Sequence, residues 1–430
     1  MFSRFALLIF LMVTCTSITA QTTTVFSGLN RTQLSYLTNR IEEFSLTGKK
    51  SEIAFTLDST SRLENQLEIT RQNLVNLPAI TKADYEIVVA QDTTIHWTIK
   101  ESRTISPLFN FGRIKGNFTY LLGFNDIHFR GLGQTLTAFY QNNDGEHNYS
   151  VALTNPAYHG SRWGYRLENR RYAAIEPVYF TEATVDYRYS NLSLGIGGSF
   201  TPRPRRVFTL GVDLFREKYE RVMGENVPMV GPASLLQRKS TIKAGHQLDR
   251  VNYHNEILAG YTWRTYAQYV HSFTDKTNFT ILLNDLLYYQ RVGLRGNLAF
   301  RLRAGISSNE ASPFAPFVVD SQVNIRGSGN RIDRGTAQLV LNAEYRQTVF
   351  RDRRERFAAQ LVAFSDLGNW RNPGGDISEL AESENLRHFI GGGIRLISNQ
   401  AKNAVIRLDY GLDVKNTNER GFVLGFGQYF

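Results

Sequence analysis

The sequence predicts an all-β transmembrane barrel of about sixteen antiparallel strands, preceded by one small α+β domain. Three observations predict it. Apolar and polar residues alternate along almost all of Thr104 to Phe430, and helical spacing is confined to the first hundred residues. The 53 aromatic residues also outnumber the 11 prolines almost five to one, a composition that favours strands over a helical bundle. With 42% apolar and 20% charged residues, the 430-residue chain can bury a core and is not disordered. Its mean hydropathy of −0.30 excludes a bundle of apolar transmembrane helices but leaves a barrel open, because barrel strands are only half apolar.

At the front, Arg4 is the lone early charge, Phe5 to Val13 form an apolar run, and Thr14 to Ala20 are small or polar. This order predicts a secretory signal peptide over residues 1–20, cut after Ala20. The run is too short for a spanning helix, which takes ~20 apolar residues. Cys15, the only cysteine, lies inside it, so the remaining chain can form neither a disulfide nor a thiolate metal site. Met12-Val13-Thr14 is a poor match to the small residues that precede a lipidated cysteine. Removal of Arg4 takes the net charge from +10 to +9.

Residues 21–103 mix two periods. Leu34, Leu37, Ile41 and Phe44 recur at helical spacing, as do Leu63, Leu67, Leu74 and Leu77, which Pro78 stops. Two alternating runs follow, Tyr85 to Ala90 and Thr94 to Lys100, joined across Gln91-Asp92. Together they make a small α+β domain.

Residues 104–430 repeat one design. Leu298, Phe300, Leu302, Ala304 and Ile306 fall on one face, with Arg301, Arg303 and Gly305 on the other. The parity returns in Ile406, Leu408, Tyr410, Leu412 and Val414 against Arg407, Asp409 and Asp413, and in Tyr261, Trp263, Ala267 and Tyr269 against Thr262, Arg264 and Gln268. Turn clusters such as Gln141 to Gly145 and Asn416 to Glu419 separate the segments. A spanning strand takes ~9–11 residues, so these 327 residues hold sixteen strands at about 20 residues each with connections, and fourteen or eighteen fit nearly as well. A secreted β-sandwich alternates in the same way, but one this large divides into domains of ~100–150 residues with linkers, and no linker is visible. The aromatic-rich ending Gly421 to Phe430 reads as a strand running to the last residue and closing on the first.

Specific residues then narrow the reading. Val323-Asn-Ile-Arg-Gly-Ser-Gly-Asn-Arg-Ile-Asp-Arg-Gly335, followed by the strand Leu339 to Arg346, resembles the bacterial surface antigen family, the outer-membrane barrels that include the BamA and TamA assembly factors and the two-partner secretion translocators. The family's signature is an Arg-Gly turn on a long loop folded back into the barrel, then a strand with an inward acidic residue. Phe357 to Trp370 is similar to its next strand, with an Asp-x-Gly segment at Asp366, and Gly391 to Leu396, Ile406 to Gly411 and Gly425 to Phe430 follow in the family's order. Arg130-Gly-Leu-Gly-Gln134 and Thr154 to Tyr158 look like its first hairpins, and Asn73 to Arg103 looks like the second half of a POTRA domain, with room for only one. Two departures are Ile325 before the Arg and Ser328 where an aromatic is usual.

The resemblance implies an outer-membrane barrel over residues 104–430, a single POTRA-like periplasmic domain over residues 21–103, and insertion, assembly or translocation of client proteins without covalent chemistry. The implied partners are outer-membrane lipid, client proteins and accessory periplasmic proteins. A dedicated two-partner secretion pore and a passive channel or structural surface antigen are the alternatives.

The parity of the strand after the motif points Glu344 inward with Asn342 and Arg346, and Asp366 shares its face with Gln360. An Arg326 carried inward by its loop would meet both carboxylates, and its planar fork binds two acceptors at once. Ile325, Arg326, Gly327, Glu344 and Asp366 are therefore the expected loop anchor. Read without its neighbours, Ile325 to Arg334 is equally an ordinary surface loop with common turn residues. On the closing strand, Gly425, Gly427 and Phe430 suit a weak seam to which a client strand could add, and such glycines are also ordinary in a lumen.

Other chemistry is thin. No Gly-x-Ser-x-Gly elbow, His-Glu-x-x-His helix or Walker loop occurs, and the 8 histidines lack metal-ligand spacing, so no enzyme, cofactor or metal site is expected. The basic runs Arg203 to Arg206 and Arg351 to Arg356 read as turns beside anionic lipid headgroups rather than as nucleic-acid contacts. Trp163, Trp263 and Trp370 are candidates for aromatic girdles or for packing on neighbouring strands.

Overall fold

The computed structural model describes residues 22–38, 60–89, 93–114, 117–143, 145–157, 161–180, 182–222, 229–312, 314–319, 324–328, 333–400 and 405–430. The expected signal peptide with Cys15, the helical positions Ile41 and Phe44, and the Gln91-Asp92 connection lie outside these residues.

The N-terminal domain holds β1 (Thr22–Ser27), the helix Thr60–Asn76, β2 (Ile80–Val89) and β3 (Thr93–Glu101). Its sheet has the order β1-β3-β2, with β1 parallel and β2 antiparallel to the central β3. Leu67 and Leu74 recur at helical spacing and are fully buried against Leu37, Ile80, Ile95 and Trp97, which fixes the helix on one face of the sheet. Pro78 follows the helix end because it cannot continue the ladder of main-chain hydrogen bonds.

The barrel begins with β4 (Ile105–Ile114), β5 (Asn117–Phe129), β6 (Gln134–Asn143), β7 (Glu146–Asn155), β8 (Trp163–Tyr179) and β9 (Thr184–Arg203). It continues through β10 (Arg206–Arg221), β11 (Ser234–Asp249), the short β12 (Asn252–His254), β13 (Ile257–Ser272), β14 (Asn278–Val292) and β15 (Gly296–Ser307). A small hairpin, β16 (Phe317–Val319) with β17 (Asp333–Gly335), precedes β18 (Ala337–Arg351), β19 (Phe357–Arg371), β20 (Arg387–Ser398), β21 (Val405–Asp413) and β22 (Arg420–Phe426). Among the described residues, sixteen long antiparallel strands close into a ring with β22 beside β4. The strand number is the one that chain length suggests.

Alternation does what the sequence pattern requires. Leu194, Ile196, Leu210, Leu214, Leu339 and Leu341 face outward and are exposed, whereas Arg301, Asn342, Glu344, Arg346, Asp366, Arg395 and Asp409 are buried in the lumen. The N-terminal domain sits across one end of the barrel. There Gln33 N–H donates to Gly131 O (3.0 Å), Arg31 Nη2 meets Asp126 (3.2 Å), and Asn76 Nδ2 donates to Asn252 Oδ1 (3.3 Å).

One expectation needs correction. The last strand does not run to the end of the chain: β22 stops at Phe426, Gly427 turns with φ +85°, and Tyr429 is buried in the lumen. Gly425 is thus a wall residue, but Gly427 and Phe430 are not on the closing strand. The physical reason is the pull of the lumenal arginines on Tyr429, described below. Of the two roles open to the tryptophans, Trp163 and Trp263 are exposed on the outer face, whereas Trp370 packs inside the barrel against Val319, Ile325 and Phe389.

Candidate functional site

The described residues between β15 and β18 fold into the lumen, where β16 pairs with β17. Ile325 is fully buried against Val319, Trp370 and Phe389, an apolar contact that holds the tip in place. Gly327 adopts φ +91°, a conformation that favours glycine, and a Cβ there would lie 2.7 Å from Gly411 Cα. Gly411 is registered with Gly391 on β20 and with Gly421 on β22. Three glycines side by side therefore form a flat floor: the backbone of the loop tip rests on Gly411 and Gly421, and the Phe364 ring on Gly391.

Arg326 is fully buried. Its main-chain N–H, Nε and Nη2 all donate to Asp366, at 3.0, 2.8 and 2.8 Å, and its Nη1 pairs with Glu344. The guanidinium stacks on Phe364 (3.8 Å to the ring centre) and Tyr429 (4.4 Å). The structure thus brings together all five residues of the expected anchor, Ile325, Arg326, Gly327, Glu344 and Asp366.

Around them lies a network that motif reading missed. Arg346 pairs with Glu344, and Arg395 bridges Glu344 (3.7 Å) and Asp409 (2.6 Å). Arg407 reaches Asp409 (3.5 Å) and stacks on Tyr429 (4.7 Å). Asn342 Nδ2 donates to Asp366 and to the Asn324 carbonyl, both at 2.8 Å. The inward parity of β18 and β21 was the available signal for Asn342, Arg346, Arg407 and Asp409; nothing in the sequence pointed to Tyr429.

All six oxygens of Glu344, Asp366 and Asp409 accept from Arg or Asn donors. Carboxylates whose every oxygen is already engaged by a donor suit holding a loop rather than moving a proton. Among the described residues, no group of three or more His, Cys, Asp or Glu is placed to hold a metal ion.

The loop also touches the opposite wall. Phe314 stacks with Tyr219 (4.2 Å between ring centres) and Tyr187 (5.9 Å). Arg334 donates to the Ala315 carbonyl (3.0 Å) and pairs with Glu176 of β8. The loop is therefore a strap across the lumen, tied to β18 and β19 at its tip and to β8, β9 and β10 at its base.

A family model described as "Omp85 superfamily domain" matches residues 128–430. Among solved structures, the chain is similar to BamA from Haemophilus ducreyi lacking POTRA domains 1–3 (TM-score 0.51, 13% identity, 94% of this chain and 83% of that one). It is also similar to CdiB from Acinetobacter baumannii (0.56, 11%, 95% and 74%) and CdiB from Escherichia coli (0.59, 10%, 94% and 75%). At these identities the structural likeness shows the fold alone. A search of curated protein sequences finds no match.

Proposed function

The chain belongs to the Omp85 superfamily, an outer-membrane β-barrel, and from that premise we propose that it inserts, assembles or translocates client proteins at the outer membrane. The observation that carries this reading is the Arg326 centre: an infolded loop tied by a buried, fully paired arginine inside a sixteen-stranded barrel. We infer that Arg326, Glu344 and Asp366 act as the loop anchor, so that the strap holds the barrel's shape while other parts of the wall move.

The N-terminal domain supplies a place for a client to arrive, in this reading as a single POTRA-like periplasmic module. The sheet order β1-β3-β2 leaves β2 at an edge, where an extended client segment could add by main-chain pairing. Beside that edge lies a cavity of about 600 Å³ between the domain and the barrel end, lined by Arg71, Lys82, Arg291, Arg295 and Arg351 with Glu256. At the ring's junction, β22 has seven residues against ten in β4, because the chain leaves the wall at Gly427. A short closing strand supports a weak seam to which a client strand could pair.

A dedicated secretion pore for a single client is the second reading, supported by the same β2 edge, at which one extended segment could dock. A passive channel is disfavoured by the lumen, where Ile325 and Arg326 are fully buried. Conditional depletion with quantitative comparison of the outer-membrane and secreted protein pools separates these. A broad fall in barrel proteins means general assembly, loss of one secreted or surface protein means a dedicated pore, and unchanged pools sink both readings.

A further inference from the structure

The outer surface of β7 to β11 carries a row of registered residues. Tyr149 is opposite Arg171, Arg171 opposite Leu192, Leu192 opposite Arg216, and Arg216 opposite Arg238. Partners opposite each other on adjacent strands point to the same face. That face is the outer one, because Leu192 is exposed beside the apolar belt formed by Leu194, Ile196, Val212, Leu214 and Ile242. Arg171, Arg216 and Arg238 are all exposed.

The row lies at the belt's edge away from the N-terminal domain. From Arg216 to the outward Phe208 is a run of eight residues, and eight residues at ~3.4 Å, tilted by ~40°, climb roughly 20 Å against an apolar band of ~25 Å. The arginines therefore stand at headgroup level. Just beyond the row the charges are already neutralised, Arg188 by Glu146 (2.7 Å) and Lys218 by Glu220 (2.6 Å). Among the described residues, no carboxylate pairs with Arg171, Arg216 or Arg238. Two like charges directly opposite on neighbouring strands repel, and here Arg216 faces Arg238 with no anion from the protein between them.

We propose that this row binds an anionic lipid headgroup carrying two phosphates, in the leaflet opposite the N-terminal domain. Arginine is suited to phosphate because its fork gives paired hydrogen bonds. From Arg171 to Arg238 is three strand spacings, or about 14 Å, too wide for one phosphate and matched by two on a rigid spacer. Tyr149 closes the row with a ring and a hydroxyl, a pairing that favours the boundary between headgroup and acyl chain. The proposal rests on the barrel spanning a membrane and not on any handling of clients, so the two readings fail separately.

The test uses the full-length protein in phosphatidylcholine nanodiscs doped with a bisphosphorylated disaccharide lipid, or with the same lipid lacking one or both phosphates. Native mass spectrometry reads the lipid retained. Expected is retention that falls as phosphates are removed, with affinity about fivefold weaker for each arginine lost in Arg216→Gln/Arg238→Gln. Lys218→Gln, whose charge Glu220 already neutralises, stays within about twofold of the parent. Equal retention of the phosphate-free lipid, unchanged binding in the double variant, or an equal loss in Lys218→Gln overturns the proposal. Should the double variant lose heat-modifiable mobility, Arg171→Gln is read in the same assay, where a fivefold loss is expected and unchanged binding is the overturning result.

Discussion

Asp366 takes three hydrogen bonds from the single residue Arg326, one from its main chain and two from its guanidinium, across 40 positions of sequence. Position and side-chain fork are thus fixed by one carboxylate. Removing either partner leaves the other buried with its pairing incomplete, at a cost of ~3–5 kcal/mol. Arg326→Ala and Asp366→Ala should each lower the temperature at which the folded, fast-migrating band is lost on electrophoresis, while export continues. Arg326→Lys should fall between them and the parent, because it keeps charge but not the fork. Parent-like heat resistance in Arg326→Ala sinks the anchor.

The glycine floor gives an independent route to the same defect. A Cβ on Gly411 would meet the Arg326 carbonyl oxygen and lie 3.2 Å from Gly327 Cα, so the loop tip must lift. Gly411→Ala should reproduce the heat sensitivity of Arg326→Ala without touching a charge. Gly198→Ala, where a Cβ meets only the Gly164 carbonyl at 3.9 Å, serves as the silent control. If both variants migrate like the parent at every temperature, the loop tip does not need the floor.

The ring of Tyr429 stacks on Arg326 and Arg407. A desolvated cation–π contact contributes up to about 2 kcal/mol, less than the ion pairs. Tyr429→Leu should weaken the barrel by less than Arg326→Ala, and Tyr429→Phe, which keeps the stacked ring, by less again. A defect in Tyr429→Phe as large as in Tyr429→Leu would assign the effect to the hydroxyl instead.

At the strap's base, Phe314 and the Arg334–Glu176 pair hold the loop against β8 to β10. Phe314→Ala with Glu176→Gln should free this end while the Arg326 centre stays tied. The expected outcome in planar bilayers is a larger and noisier conductance with near-parent heat resistance. Unchanged conductance would mean that the base does not close the lumen.

The N-terminal domain should loosen in acid. Burial alone would raise the Glu101 carboxyl, but hydrogen bonds from Thr32 and from the main chain of residues 30–32 outweigh it and hold the group below its usual range. A depressed folded value means that this stabilisation is complete above the unfolded value of about 4.3 and is lost as pH falls through the lower folded one. Hydrogen exchange at Arg31 and Thr32, measured relative to the intrinsic amide rate at each pH, should therefore accelerate below about pH 4. Glu101→Gln should exchange faster at neutral pH with little further change in acid, and a parent-like acid step in that variant would place the titration elsewhere.

By itself the sequence determined the alternation of Leu298 to Ile306 and its repeats, and with it a barrel of about sixteen strands, because the period of two is a local property of extended chain. It also placed Glu344 and Asp366 on lumenal faces, since parity within one strand needs no knowledge of its neighbours. Tertiary structure alone decided the rest. Arg346, Arg395, Arg407 and Asp409 become one network only when β18, β20 and β21 curve round a common lumen. Gly391, Gly411 and Gly421 become a floor only through the register of three strands. Tyr429 reads as the end of a strand until the cation it covers is brought inward from residue 326, and Trp370 suits a girdle or an inward packing alike until Ile325 packs on it. In each case the deciding contact joins residues far apart in sequence, and its energy depends on burial and register that no single segment encodes.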